Sequence, residues 1–138
     1  MNDLIEKTKA LLDYFTWVGK NPPLHSQDKT RMAALIHPDF LLTYNGRPLI
    51  CGIDHLGGHF VDVFREAGHF HIELQTVELL GRIRTAAHYF VVTENKGSTL
   101  CDVTFEFRDG LCIAQHDVLD FGPSNINAAS LLRRGTGD

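Results

Sequence analysis

The sequence predicts a single α+β domain with three helices and a mostly antiparallel sheet. In the first half of the chain, apolar residues recur at three- and four-residue steps, which is typical of helices with one buried face. In the second half, apolar and polar residues alternate, which is typical of strands with one buried face. The 138 residues fit one domain, and we expect residues 3–124 to form the core and residues 125–138 to form a tail.

The helical pattern occupies three segments. The first, residues 3–18, is followed by a glycine and a Pro-Pro pair, which end helices. The second covers residues 28–36, and the third covers residues 52–67, with Gly68 as its stop.

Two histidines and an aspartate recur on the third helix. His55, His59 and Asp62 lie at four- and three-residue steps, so they share one face, as metal ligands must. The chain has no HExxH pattern, and water alone satisfies these side chains. We interpret them as a solvated face, and we expect neither a metal ion nor another cofactor.

Alternation predicts two hairpins and two further strands. The strongest hairpin signal is Asp109-Gly110, which lies between the alternating runs of residues 100–121. A smaller hairpin joins residues 40–44 and 49–51 at Asn45-Gly46, and residues 70–80 and 86–94 form the remaining strands. The first long strand of the large hairpin has one apolar face, made of Cys101, Val103, Phe105 and Phe107.

The return strand of the large hairpin carries two polar residues at apolar parity. Gln115 and Asp117 alternate in phase with Ile113 and Leu119. If this parity faces inward, a carboxyl group and an amide enter an apolar lining. A bulge in a three-residue turn would exchange the two faces, because a one-residue slip moves every side chain to the opposite face.

If His88, Phe90 and Val92 take the inward parity of residues 86–94, they share the apolar face of the first long strand of the large hairpin. An imidazole in an apolar wall needs partners for its nitrogens, so the alternative to a functional role is a core histidine satisfied by a neighbouring group. Tyr89, Val91 and Val118 then point outward and form an apolar patch on the outer sheet face. Such a patch indicates a homodimer through this face.

Charge and composition argue against several classes of protein. The net charge is −4 and no basic stripe is present, so we expect no nucleic-acid partner. No apolar run approaches the roughly 20 residues that cross a bilayer, and the chain opens with an amphipathic pattern, so we expect a cytoplasmic protein with no membrane partner. Cys51, Cys101 and Cys112 lack metal-site spacing and are interpreted as small core or near-core residues.

The order of elements, together with several short motifs, resembles the nuclear transport factor 2-like (NTF2-like) superfamily, especially its SnoaL-like branch. That resemblance implies a cone-shaped roll, in which a strongly curved sheet wraps around three helices and leaves an open mouth. The motifs extend from residue 12 to residue 120: Leu12-Asp13-Tyr14-Phe15, the run from Met32 to Phe40, Gly52-Ile53-Asp54, and the run from Phe105 to Gly110 with Asp117 and Asp120 beyond it.

The resemblance fixes fold better than function, because the superfamily includes isomerases, dehydratases, cyclases, epoxide hydrolases and members without chemistry. Tyr14 matches the oxyanion-hole tyrosine of the ketosteroid isomerases. Their general-base aspartate falls on Tyr44 and their second oxyanion donor on Val103, so this chain does not match that design, and it lacks the Asp/Arg/Asp set of the epoxide hydrolases. The pattern of the cyclases, one inward acid on the last strand, fits Asp117.

The combined hypothesis is a pocket for a small hydrophobic molecule. Asp117 acts as an acid or base on a carbonyl compound, with His88 about 10 Å away across two strands and Tyr14 approaching from the helices. An enzyme of this kind is a cofactor-independent isomerase, cyclase or lyase; the alternative is a non-catalytic binding protein. The predicted substrate-binding residues are Tyr44, Gln115, Trp17, Phe60, Phe90, Val103 and Phe105.

Overall fold

The structure is a computed structural model, and it describes residues 3–21 and 29–120. The predicted tail at 125–138 and the predicted first residue of the second helix lie outside the described residues. The helices are α1 (Asp3–Lys20), α2 (Lys29–Leu35) and α3 (Leu56–Ala67), the last preceded by a short 3-10 turn, Ile53–His55. The strands are β1 (Ile36–Tyr44), β2 (Arg47–Cys51), β3 (Phe70–Leu79), β4 (Arg84–Thr93), β5 (Gly97–Arg108) and β6 (Leu111–Asp120).

All six strands belong to one open sheet in the order β2-β1-β6-β5-β4-β3. Every neighbouring pair is antiparallel except β1 and β6, which run parallel. The predicted α+β class, with three helices and a mostly antiparallel sheet, is confirmed. We call the face of the sheet that the helices cover the inner face, and the opposite one the outer face.

Helix α1 packs on the inner face against β3 and β4. Its buried stripe includes Leu11, Phe15 and Val18, and each such side chain contributes about 1.5–3 kcal/mol on burial. Gly19 makes the close approach possible, because a Cβ atom there would lie 2.0 Å from the carbonyl oxygen of Phe70. The described helices include none that is long and apolar enough to span a bilayer.

The hairpin between β5 and β6 has the predicted two-residue turn. Asp109 and Gly110 have φ angles of 54° and 79°, the left-handed conformation that a tight hairpin of this kind requires at both positions. Opposite Phe107 lies Cys112, but opposite Glu106 lies Ala114, so Ile113 is an extra residue in β6. This bulge changes which face the rest of β6 presents inward.

The hairpin between β4 and β5 differs from the expected one. Thr93 pairs with Gly97, so three residues form the connection and Ala87, not His88, lies opposite Val103. Each side chain of β4 therefore lies on the face opposite to the predicted one. The inward positions include Ala87 and Tyr89, both buried.

The predicted outward patch on β4 is consequently wrong in part. Tyr89 is buried on the inner face, and Val91 packs against the core. Val118 does lie on the outer face and is 59% exposed, with Leu100 also exposed nearby on β5. A homodimer through the outer face stays a prediction.

Candidate functional site

A cavity of about 80 Å³ lies between α1, α3 and the inner face of the sheet. Aromatic and aliphatic side chains form most of its wall, including Phe15, Phe60 and Phe70. Its polar lining residues are Tyr44, His59, Tyr89, Gln115 and Asp117. A small, mostly apolar cavity with a few convergent polar groups is the usual form of a ligand site.

Asp117 reaches this cavity because of the bulge at Ile113. Without the extra residue, His116 would lie opposite Val103 and Asp117 would point to solvent. With it, Asp117 pairs with Val103 on one side and with Tyr44 on the other, and its side chain is buried. Bulges commonly re-aim side chains in this way beside functional sites.

The carboxyl group of Asp117 has one hydrogen bond to a neighbouring side chain on β6. Gln115 Nε2 donates to Asp117 Oδ1 over 3.0 Å. Burial raises the pKa of Asp117 to about 7, and the hydrogen bond from Gln115 opposes this only in part. Near neutral pH the group is divided between its acid and its carboxylate, so it can both take and return a proton.

Tyr44 and His59 form a second polar pair in the wall of the cavity. Tyr44 Oη and His59 Nε2 lie 3.2 Å apart, and both residues are buried. Burial lowers the pKa of His59 to about 4, so the imidazole is neutral at pH 7. The pKa of Tyr44 is raised, first by burial and then by the charge of Asp117, so its hydroxyl keeps its proton.

The charge of Asp117 also raises the pKa values of Tyr89, Cys101 and Cys112. Burial and then the charge of Asp117 raise the pKa of Tyr89, which lines the cavity from β4. The same two causes raise the pKa of the buried Cys101 thiol on β5. No lysine or arginine is found among the described residues that line the cavity, so the carboxylate form of Asp117 has no cationic partner there.

The predicted partnership of His88 with Asp117 is wrong. His88 lies on the outer face, where Nδ1 hydrogen-bonds the carboxylate of Asp102 and the side chain is 45% exposed. Phe90 shares this parity, so its predicted inward orientation is also wrong. Both errors follow from the three-residue turn before Gly97, since a shorter turn would have brought both side chains inward.

The remaining predicted residues divide into three groups. Tyr44, Gln115 and Phe60 line the cavity with Asp117. Val103 and Phe105 are buried on β5, opposite Asp117 and Gln115, and do not line the cavity. Tyr14 and Trp17 do not line the cavity. Tyr14 is fully buried and packs edge-on against Phe60 at 6.5 Å between ring centroids, and Trp17, which is 37% exposed, stacks on Tyr14.

Two polar lining residues, His59 and Tyr89, were not predicted from the sequence. His59 was interpreted as part of a solvated face, yet it follows Leu56 by three residues and precedes Val63 by four, which is the spacing of the buried stripe. That spacing was a usable signal. Tyr89 could be assigned only with the length of the turn before Gly97. Within the described part of the chain, no group of histidine, cysteine and acidic side chains is placed to hold a metal ion.

Comparisons by sequence find no relatives: no family model matches the chain, and no curated protein does. Comparisons by structure find many similar proteins. A candidate SnoaL-like polyketide cyclase from Jannaschia sp. CCS1 has a TM-score of 0.68 and 13% identity, over 86% of this chain and 85% of that one. An LEH-like epoxide hydrolase from M. tuberculosis has a TM-score of 0.62 and 17% identity, over 98% and 92%.

A third similar structure has a bound ligand. It is a protein with a ketosteroid isomerase-like fold from Catenulispora acidiphila in complex with trimethylamine, with a TM-score of 0.65 and 14% identity, over 88% of each chain. At these identities the likeness concerns fold alone. The chain has the NTF2-like fold, shared with SnoaL-like, ketosteroid isomerase-like and LEH-like proteins.

Proposed function

We propose that the protein is a cofactor-independent acid–base catalyst, in which Asp117 removes a proton next to the carbonyl group of a small, uncharged compound. The observation that carries this proposal is a carboxyl group buried in an apolar cavity whose described lining offers it no cationic partner. Such burial holds the pKa of Asp117 at about 7, where a general base works well at neutral pH.

The reaction step needs only groups that line the cavity. The Asp117 carboxylate takes the α-proton, and the electron pair of the broken C–H bond forms the enolate C=C bond while the carbonyl electrons move to oxygen. Tyr44 stabilises the enolate oxygen by donating its hydroxyl hydrogen bond, since its raised pKa keeps it protonated beside Asp117. Return of the proton from Asp117 to carbon at another position gives an isomerase. In a cyclase the enolate carbon instead attacks a second carbonyl carbon of the same molecule, whose oxygen takes the proton from Asp117. In a lyase the enolate expels a β-hydroxyl group, which takes that proton and leaves as water.

The size of the cavity limits the substrate. Its volume of about 80 Å³ is about half that of an engineered protein cavity of roughly 150 Å³ that accepts benzene. A small ketone fits the enclosed space, and a larger substrate must extend out of it. The similar structures include a candidate polyketide cyclase, which supports a carbonyl substrate without identifying it.

The test is exchange of the α-hydrogens of butanone in D₂O, followed by proton NMR. We expect the protein to accelerate exchange, with a rate that rises as the pH increases through about 7, because the carboxylate is the active form. Asp117→Asn should lower the protein-dependent rate about a hundredfold or more. The matched control is Asp102→Asn, which removes an exposed carboxylate from the outer face and should leave the rate unchanged.

A rate in the wild-type protein no greater than that of Asp117→Asn contradicts the proposal. The other titratable groups that face Asp117 do not imitate its pH dependence. Tyr44, Tyr89 and Cys101 have raised pKa values, and His59 is already neutral well below pH 7.

A second candidate function is non-catalytic binding of a small organic cation. The same uncompensated carboxylate, enclosed by aromatic rings, suits an ammonium group, and one similar structure holds trimethylamine. This function predicts that trimethylammonium binds more tightly as the pH rises through about 7, whereas tert-butanol, a neutral molecule of similar shape, shows no such change. It also predicts no exchange of butanone that depends on Asp117.

A further inference from the structure

His59 joins the helical layer to the sheet by a polar contact in the wall of the cavity. Helix α3 places it toward the sheet, between Leu56 and Val63 in the buried stripe. From there its Nε2 atom lies 3.2 Å from the hydroxyl oxygen of Tyr44 on β1. The two rings meet edge to face, with centroids 5.8 Å apart.

This contact fixes the direction of a hydroxyl group that lies beside Asp117. Tyr44 and Asp117 are register partners on the parallel strands β1 and β6, so their side chains emerge from the same face of the sheet. A phenol oxygen rotates its hydrogen freely unless a partner holds it. If His59 Nε2 carries the hydrogen and donates it to the Tyr44 oxygen, the Tyr44 hydrogen is directed away from His59 and toward the cavity.

We propose that His59 is a positioning residue of the Asp117 site, whose neutral imidazole donates to Tyr44 and thereby directs the Tyr44 hydroxyl hydrogen to the oxygen of a bound carbonyl compound. The inference rests on the proposed function, because it assigns His59 a role in the same proton transfer. His59 lines the cavity, but in this scheme it transfers no proton. Its effect passes entirely through Tyr44.

The test is a double-mutant cycle on butanone exchange. His59→Phe keeps a ring of similar shape and removes the hydrogen bond, and Tyr44→Phe removes the hydroxyl. We expect His59→Phe to lower the rate about tenfold when Tyr44 is present, and less than about twofold in the Tyr44→Phe background. A residue that only supports the fold would lower the rate by the same factor in both backgrounds.

A conservative replacement sharpens the cycle. His59→Gln supplies a neutral amide N–H in place of the imidazole N–H, so it should retain a rate within about threefold of the wild-type rate. Thermal unfolding of each variant, compared with the wild-type protein, identifies any variant that is not folded at the assay temperature.

The outcomes separate the inference from the proposed function. Exchange that depends on Asp117, with equal effects of His59→Phe in both Tyr44 backgrounds, overturns the role of His59 and leaves the role of Asp117 standing. Failure of His59→Gln to restore the rate lost in His59→Phe also overturns it. Exchange that does not depend on Asp117 removes the proposed function, and the role of His59 with it.

Discussion

The two faces of the sheet carry the same kind of residue in two different environments. Asp102 on β5 and Asp117 on β6 lie in adjacent rows, because Asp102 pairs with Val118 and Val103 pairs with Asp117. Asp102 faces outward, where its side chain is 56% exposed and hydrogen-bonds the imidazole of His88. Asp117 faces inward, where its carboxyl is buried and accepts a hydrogen bond from the Gln115 amide.

The difference shows that one step of strand register decides whether a carboxyl group is exposed to water or buried. On the outer face, water and an imidazole satisfy Asp102. On the inner face, burial disfavours the charged form of Asp117 and raises its pKa to about 7. The residue type is the same, so the contrast can be measured by making the same substitution on each face.

The largest expected difference in stability between the faces is at high pH. The folded-state pKa of Asp117 is raised from 3.8 to about 7, so the folded protein holds a proton in a pH window where the unfolded chain has lost it. Stability therefore falls as the pH rises from about 4 to about 7, at about 1.4 kcal/mol per pH unit. Asp117→Asn carries no charge, so we expect it to raise the free energy of unfolding at pH 8 by up to about 4 kcal/mol and to change it little at pH 4.

Urea denaturation at several pH values measures this effect. Asp102→Asn is again the control, since an exposed carboxylate should change stability by less than about 1 kcal/mol at any of them. If Asp117→Asn changes the free energy of unfolding by the same amount at pH 8 and at pH 4, then burial does not hinder the ionisation of Asp117.

A smaller effect of opposite sign comes from His59. Its folded-state pKa is lowered from 6.5 to about 4, so below pH 6.5 the unfolded chain binds a proton that the folded protein does not bind. Stability is therefore lost as the pH falls from about 6.5 to about 4, by up to about 3 kcal/mol. His59→Gln removes this loss. The stability of that variant should therefore decline steadily as the pH rises from 4 to 7, because only Asp117 still acts in this window.

The wild-type protein and the two variants make a matched set. Between pH 4 and pH 6.5 the contributions of His59 and Asp117 oppose each other, so the wild-type curve should be the flattest of the three. Asp117→Asn should become more stable with rising pH in this window, and His59→Gln less stable. Parallel curves for all three proteins would contradict the burial of both groups.

The sequence predicted the arrangement of elements well, because periodicity is a property of many residues together. The helical stripe of α1 and the turn at Asp109-Gly110 were both placed correctly, since repeated apolar spacing and a positive-φ dipeptide leave few alternatives. The NTF2-like fold followed from the order of these elements and is confirmed.

The orientation of single side chains was harder to predict, because it changes when a turn or bulge is longer or shorter by one residue. Alternation left the facing of Asp117 open, and the bulge at Ile113, after a two-residue turn, turns it inward. Alternation also left the facing of His88 open, and the three residues that join Thr93 to Gly97 turn it outward. Hydrophobic alternation reveals neither the extra residue nor the length of the turn, because the alternation looks the same on both sides of a bulge.

The smallest expected effect concerns the pair on the outer face. His88→Gln removes an imidazole that contacts Asp102 where both side chains are about half exposed. Water and salt screen such pairs, so we expect the free energy of unfolding to fall by less than about 1 kcal/mol, and by less again at 1 M salt. Urea denaturation at low and high salt measures this.

A loss above about 2 kcal/mol that persists at high salt would mean that this face is buried in solution, as a homodimer through the outer face predicts. Light scattering on the same samples then distinguishes that dimer from a monomer.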